Sequence, residues 1–198
     1  MAEFLARDND DAADAFWRDG YHVVDALLSA GQCALLKKGM DLSQRAGTMR
    51  VANNRAYQGP NNQYAPLPAQ LLLGSLAPKL STLVGRTLLP SFSFWRIYEQ
   101  GAVLNRHMDR NACEVSVTIS LASEPEGSNW PIGVTDLHGV DHSISLNPGA
   151  GLVYLGTQVP HWREKLANER HYQMFLHYVL ADGPFATLKH DAGIALIP

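Results

Sequence analysis

Apolar and polar positions change their rhythm halfway along the chain. In residues 1–86 the apolar side chains recur at helical spacing. Asp8 or Asp10 is placed to cap a first helix running through Trp17 and Arg18, with Gly20 ending it. Tyr21–Val24 is a short β-prone run. Ser29 can cap a second helix carrying Cys33, Leu35, Leu36 and Met40. Leu72, Leu76, Leu80 and Val84 predict a third helix over 69–84, which Pro78 is expected to kink or split. Between the second and third helices, 46–68 is rich in Asn, Gln, Gly and Pro and has no strong period. It reads as a long loop, either a lid or binding loop or a plain surface excursion.

From residue 91 the period shortens to two. The stretch 91–99 is aromatic and β-prone, with Phe92, Phe94, Trp95, Ile97 and Tyr98. Over 114–121, Val115, Val117, Ile119 and Leu121 alternate with Ser116, Thr118 and Ser120, which predicts a strand. Further strands are expected at 132–134, 142–146, 152–155 and 170–180, separated by turn signals at 126–129, 138–139, 147–149 and Gly156. Tyr172, Met174, Phe175, Leu176, Tyr178 and Val179 require the last strand to be buried on both faces. Many short strands with Gly and Pro turns, and no helices between them, predict an antiparallel jelly roll. The expected fold class is therefore mainly β with N-terminal helices (α+β). Residues 1–198 form a single domain: a helical portion over 1–86, then a jelly-roll core over 91–180.

Composition narrows the partners. The 198 residues are 46% hydrophobic and 18% charged, and the net charge is −3. That is ordinary for a globular protein and supplies no electrostatic case for nucleic acid or an anionic membrane. The first residues lack the basic and apolar regions of a signal peptide, and no run approaches the length of a membrane span. A cytoplasmic protein is expected. Cys33 and Cys113 read as small buried hydrophobes; Cys113, four residues past Asp109, could lie near a metal.

The candidate chemistry centres on His107-Met108-Asp109. Side chains at i and i+2 of a strand share a face, so an imidazole and a carboxylate can converge on one ion. His161, fifty-two residues after Asp109, would complete a two-His, one-carboxylate set that leaves coordination positions open, as non-haem Fe(II) oxygenases require. His22, His138, His142 and His190 have no partner at ligand spacing, and His177 reads as a satisfied core histidine. Asn105 and Arg110 flank the ligand pair and are minor candidates for touching substrate.

The order of motifs resembles the 2-oxoglutarate/Fe(II) oxygenases, especially their prolyl-hydroxylase-like branch. The matching residues are Tyr98 and Gly101, His107 and Asp109, Pro148 and Gly149, His161, and Arg170 nine residues later. Looser similarity, over 116–121, 130–132, 161–164 and 173–178, links the chain to an uncharacterised bacterial and phage subgroup. The resemblance implies a double-stranded β-helix of the cupin-like barrel type, with Fe(II) on His107, Asp109 and His161. 2-Oxoglutarate and O2 would be cosubstrates, the reaction a hydroxylation releasing succinate and CO2, and the substrate a small metabolite, amino acid or peptide. Asp109 at the carboxylate position argues against halogenation. The far carboxylate of 2-oxoglutarate needs a buried cation. Arg170 is the first candidate, assisted by Tyr98; Arg96, Arg163 and His171 are alternatives, the last if the other face of the final strand points inward. Two other classes stay open: a cupin-like metal isomerase or oxygenase without 2-oxoglutarate, and a non-catalytic jelly-roll ligand binder.

Overall fold

The computed structural model describes residues 2–191, with side chains from Asp11 onward. Three helices precede the barrel: α1 (Ala2–Asp19), α2 (Ala30–Arg45) and α3 (Leu67–Val84). Helix α1 begins ahead of Asp8 and Asp10, whose side chains lie outside the described residues. Ser29 caps α2 as expected, and Gln32 completes a reciprocal capping box. Helix α3 is not split at Pro78; it runs unbroken to Gly85, whose left-handed conformation (φ 70°) ends it. The Trp17 indole donates to the Val84 carbonyl at 2.7 Å and ties α1 to α3. Among the described residues no helix is long and apolar enough to cross a membrane.

The strands are β1 (Tyr21–Val24), β2 (Arg50–Asn53), β3 (Gln58–Tyr64), β4 (Leu88–Glu99), β5 (Leu104–His107), β6 (Val115–Glu124), β7 (Ile132–Thr135), β8 (Asp141–Ile144), β9 (Gly151–Tyr154), β10 (His161–Arg163) and β11 (Arg170–Leu180). They form two antiparallel sheets, a jelly roll as expected. The larger has the order β1-β9-β6-β11-β4-β3-β2 and the smaller β5-β10-β7-β8. The segment expected as a loop over 46–68 instead contains the β2–β3 hairpin, and Asn62, Gln63 and Tyr64 pair with Arg96, Trp95 and Phe94 of β4. Its polar side chains hide the strand period, and the pairing comes from the long neighbour β4.

Strand β11 lies between β4 and β6 and is buried on both faces. Its even-numbered side chains face the helices: the Tyr172 hydroxyl donates to Asp41 of α2 at 2.9 Å, and that of Tyr178 to the Leu73 carbonyl of α3 at 2.9 Å. The odd-numbered ones, His171, Gln173, Phe175 and His177, face the barrel interior, where Gln173 bonds Thr118 of β6 and Arg163 of β10. The helices thus seal the back of the large sheet with a hydrophobic core, and the chemistry-bearing face is left for the space between the sheets.

Candidate active site

Two strand ends and the segment just past one of them bring the expected ligands together. His107 is the last residue of β5 and His161 the first of β10, and the two are direct cross-strand partners. Asp109 lies just beyond β5, where its backbone N–H donates to the Gly156 carbonyl at 2.8 Å. The i, i+2 argument therefore holds for the convergence, although the strand itself stops at His107. Asp109 Oδ1 is 3.7 Å from Nε2 of His107 and 3.7 Å from Nε2 of His161.

The surroundings orient these donors for a metal. Nδ1 of His107 contacts the Asn105 carbonyl at 2.7 Å, and Nδ1 of His161 the Val159 carbonyl at 3.1 Å. A carbonyl only accepts, so both Nδ1 atoms carry the proton and both Nε2 lone pairs point at the shared centre. Asp109 Oδ2 accepts from Ser116 Oγ at 2.8 Å and from the Tyr154 hydroxyl at 3.3 Å, which leaves Oδ1 free. Burial lowers the His161 pKa, opposed in part by nearby Asp109. Burial also pushes the Tyr154 hydroxyl far up, so it stays a donor. Cis ligands about 2.1 Å from one ion stand roughly 3 Å apart, so a modest contraction of the three donors would seat a divalent cation. The donor set fits iron.

A cavity of about 590 Å³ opens at this centre, lined by His107 and Asp109 at one side and roofed by the β2–β3 hairpin. Of the expected cation anchors, Arg170 is not brought there. It shares the helix-facing side of β11 with Tyr172, lies 4.0 Å from Glu124, and its side chain is 38% exposed. The strict alternation of β11 puts its neighbour His171 inside instead. Tyr98 does face inward and is fully buried; its hydroxyl accepts from Arg96 Nη1 at 2.8 Å. Arg96 is 6% exposed and lines the cavity. It is held by Asn62 and packed over the Tyr57 ring at 4.0 Å, with no carboxylate partner among the described residues. Arg163 is buried deeper, against the Trp130 carbonyl and Gln173, and burial lowers its pKa to about 10. His171 is held neutral by burial, with a pKa lowered to about 3.

Ser116, Tyr154 and His177 are site residues that spacing alone does not reveal. Ser116 bridges Asp109 to Nδ1 of His177 at 2.9 Å. The one available signal was the polar face of 116–120, which turns out to line the barrel interior. Cys113 is buried close to Asp109 and His177.

No family model matches the sequence, and no curated protein is significantly similar to it. Solved structures are. A Pseudomonas putida prolyl-4-hydroxylase superposes with a TM-score of 0.70 at 18% identity, over 86% of this chain and 98% of that one. The chain carries the fold of the 2-oxoglutarate/Fe(II) oxygenases. The non-heme alpha-ketoglutarate-dependent epimerase SnoN of nogalamycin biosynthesis gives a TM-score of 0.72 at 14% identity, covering 87% and 83%. EctD from S. alaskensis, solved with 2-oxoglutarate and 5-hydroxyectoine, gives 0.67 at 17%, covering 85% and 74%.

Proposed function

We propose that this protein is an Fe(II)-dependent oxygenase that uses 2-oxoglutarate and O2 to hydroxylate a small organic substrate, releasing succinate and CO2. The observation that carries the reading is the convergence of His107, Asp109 and His161 with both Nδ1 protons parked on backbone carbonyls. Three ligands on one side of an ion leave the other positions for cosubstrate and oxygen. Bound there, the iron supplies the oxidising chemistry, with 2-oxoglutarate as the electron source.

This chain's residues do the rest. Ser116 and Tyr154 hold Asp109 to single-oxygen ligation. Arg96 takes the far carboxylate of 2-oxoglutarate, since a buried, unpaired guanidinium in the cavity wall matches that anion. Tyr98 and Asn62 fix the guanidinium plane, and the β2–β3 hairpin forms one wall of the cavity. Arg170, which faces the helices, is left out of this scheme.

The test is 2-oxoglutarate turnover by the Fe(II)-loaded protein, read as succinate, alongside calorimetric binding of 2-oxoglutarate. Turnover that vanishes in Asp109→Ala is the expected result. Metal binding without 2-oxoglutarate binding would overturn the reading in favour of a cupin-like enzyme.

A further inference from the structure

His107 stands on the least supported strand of the barrel. β5 has four residues and lies at the edge of the small sheet. Its ladder with β10 pairs Leu104 with Arg163 and His107 with His161, and the register breaks between those pairs. On its other edge β5 meets the tip of the β2–β3 hairpin, which reaches across from the large sheet. The contact is made by Asn105. Its backbone N–H donates to the Ala56 carbonyl at 2.9 Å, and its side-chain amide donates to the Arg55 carbonyl at 3.2 Å. The Asn105 carbonyl in turn accepts the Nδ1 proton of His107 at 2.7 Å. One residue therefore holds the hairpin through its donors and the metal ligand through its acceptor.

The tip is shaped to meet it. Asn54 Oδ1 accepts from the backbone N–H of Ala56 at 3.0 Å and of Tyr57 at 2.9 Å, and the Asn54 N–H donates to the Tyr57 carbonyl at 3.1 Å. These bonds close the turn locally, in the manner of an Asx turn, and leave the Arg55 and Ala56 carbonyls for Asn105. Tyr57 is 2% exposed and shares a buried cluster with Leu104 of β5. A separate brace, Arg106 to Asp141 at 2.8 Å, ties β5 to β8 within the small sheet and does not involve the hairpin.

An imidazole serves a metal when its other nitrogen is held, because that bond aims the free lone pair. We infer that Asn105 is a positioning residue: it couples docking of the β2–β3 hairpin to the aim of His107, so that hairpin docking and metal binding favour each other. Such a coupling is reciprocal by thermodynamic necessity. The inference rests on the metal site of the oxygenase reading and not on its cosubstrate.

Arg55 supplies the readout. It is exposed at the tip, and cleavage after it by trypsin tracks the fraction of time the tip is open. Cleavage is followed by mass spectrometry with and without saturating Mn(II), and Mn(II) affinity by competition with a chelator. Mn(II) should slow cleavage at Arg55 about fivefold or more, the lower end of ordinary coupling between sites, and should not slow it in His161→Ala. Asn105→Ala and Asn54→Ala should each speed cleavage of the metal-free protein and weaken Mn(II) binding by about fivefold, although neither side chain touches a ligand. Asp141→Asn loosens β5 from β8 without touching the hairpin and should keep the protection. Equal slowing at Arg55 and at Lys79 on α3 would mean global stabilisation and overturns the inference. So does an Asn105→Ala protein that unfolds at a lower temperature but binds Mn(II) as well as before. A protein that binds no Mn(II) overturns this inference and the oxygenase reading together. One that shows the protection but never binds 2-oxoglutarate overturns the oxygenase reading alone.

Discussion

At the scale of single residues, the site is governed by which nitrogen or oxygen is already occupied. Asp109 has one oxygen left for a metal because Ser116 and Tyr154 occupy the other. Ser116→Ala should therefore weaken metal binding by roughly 10- to 100-fold, the usual cost of losing an outer-shell partner, as read by competition with a chelator. Arg96→Ala should cost about 2–5 kcal/mol of 2-oxoglutarate binding, while Arg170→Ala leaves it unchanged; calorimetry on both variants decides between the anchors. His171 and His177 set a pH dependence of stability. Burial depresses their folded pKa values to about 3 and about 4, below the ordinary 6.5 of the unfolded chain. Between about pH 6.5 and 4 the unfolded state binds protons that the folded state refuses, so stability falls as pH falls. The slope is on the order of 1 kcal/mol per pH unit for each histidine. Urea unfolding of the metal-free protein at pH 6.5 and pH 5 measures it, and a flat profile would contradict neutral burial.

At the scale of elements, two glycines explain the placement of the site. Gly149 adopts φ +88°, and a Cβ there would stand 2.3 Å from the Leu28 carbonyl oxygen. Its own carbonyl accepts from Leu27 and Leu28, which joins the α2 approach to the turn before β9. The Pro148-Gly149 signal seen in the sequence is thus a backbone requirement. Gly156 is tighter still. A Cβ would meet the Cys113 carbonyl oxygen at 2.2 Å, Ser116 Oγ at 2.7 Å and Asp109 Oδ2 at 2.8 Å. Gly156→Ala should displace Asp109 and reduce metal affinity more than it reduces stability, a split that chelator competition and thermal unfolding together resolve.

At the scale of the whole molecule, the proposed ligands come from β5 and β10 of the small sheet and from the segment leading into β6 of the large one. A metal bound there would join the two layers and would have no such site in the unfolded chain. Loading with Mn(II) at about 100 times its dissociation constant should add about 2.7 kcal/mol of stability. That gain should disappear in His161→Ala, with unfolding midpoints as the measurement.

Local pattern alone carried a good part of this. The alternation over 114–121 and the apolar stretch over 170–180 were sufficient for β6 and β11, because period and burial on both faces are properties of neighbouring residues. The jelly roll followed from the order of those strands and turns, and the grouping of His107, Asp109 and His161 from the His-x-Asp spacing together with the resemblance to the 2-oxoglutarate/Fe(II) oxygenases. Other features were not legible. Strands β2, β3, β5 and β10 are short or polar, and they exist because longer strands lend them hydrogen-bond partners. Whether Arg170 or Arg96 faces the cavity turns on strand parity: a shift of one residue reverses a face, and no local composition marks which side the helices will cover. The link from Asp109 through Ser116 to His177 was hidden for the same reason. Ser116 and Asp109 lie sixty-one and sixty-eight residues before His177 in the chain, and the three meet only when the sheet closes. Sequence determined which elements form, and tertiary packing decided which way their polar side chains point, because orientation is settled by the faces that must be buried together.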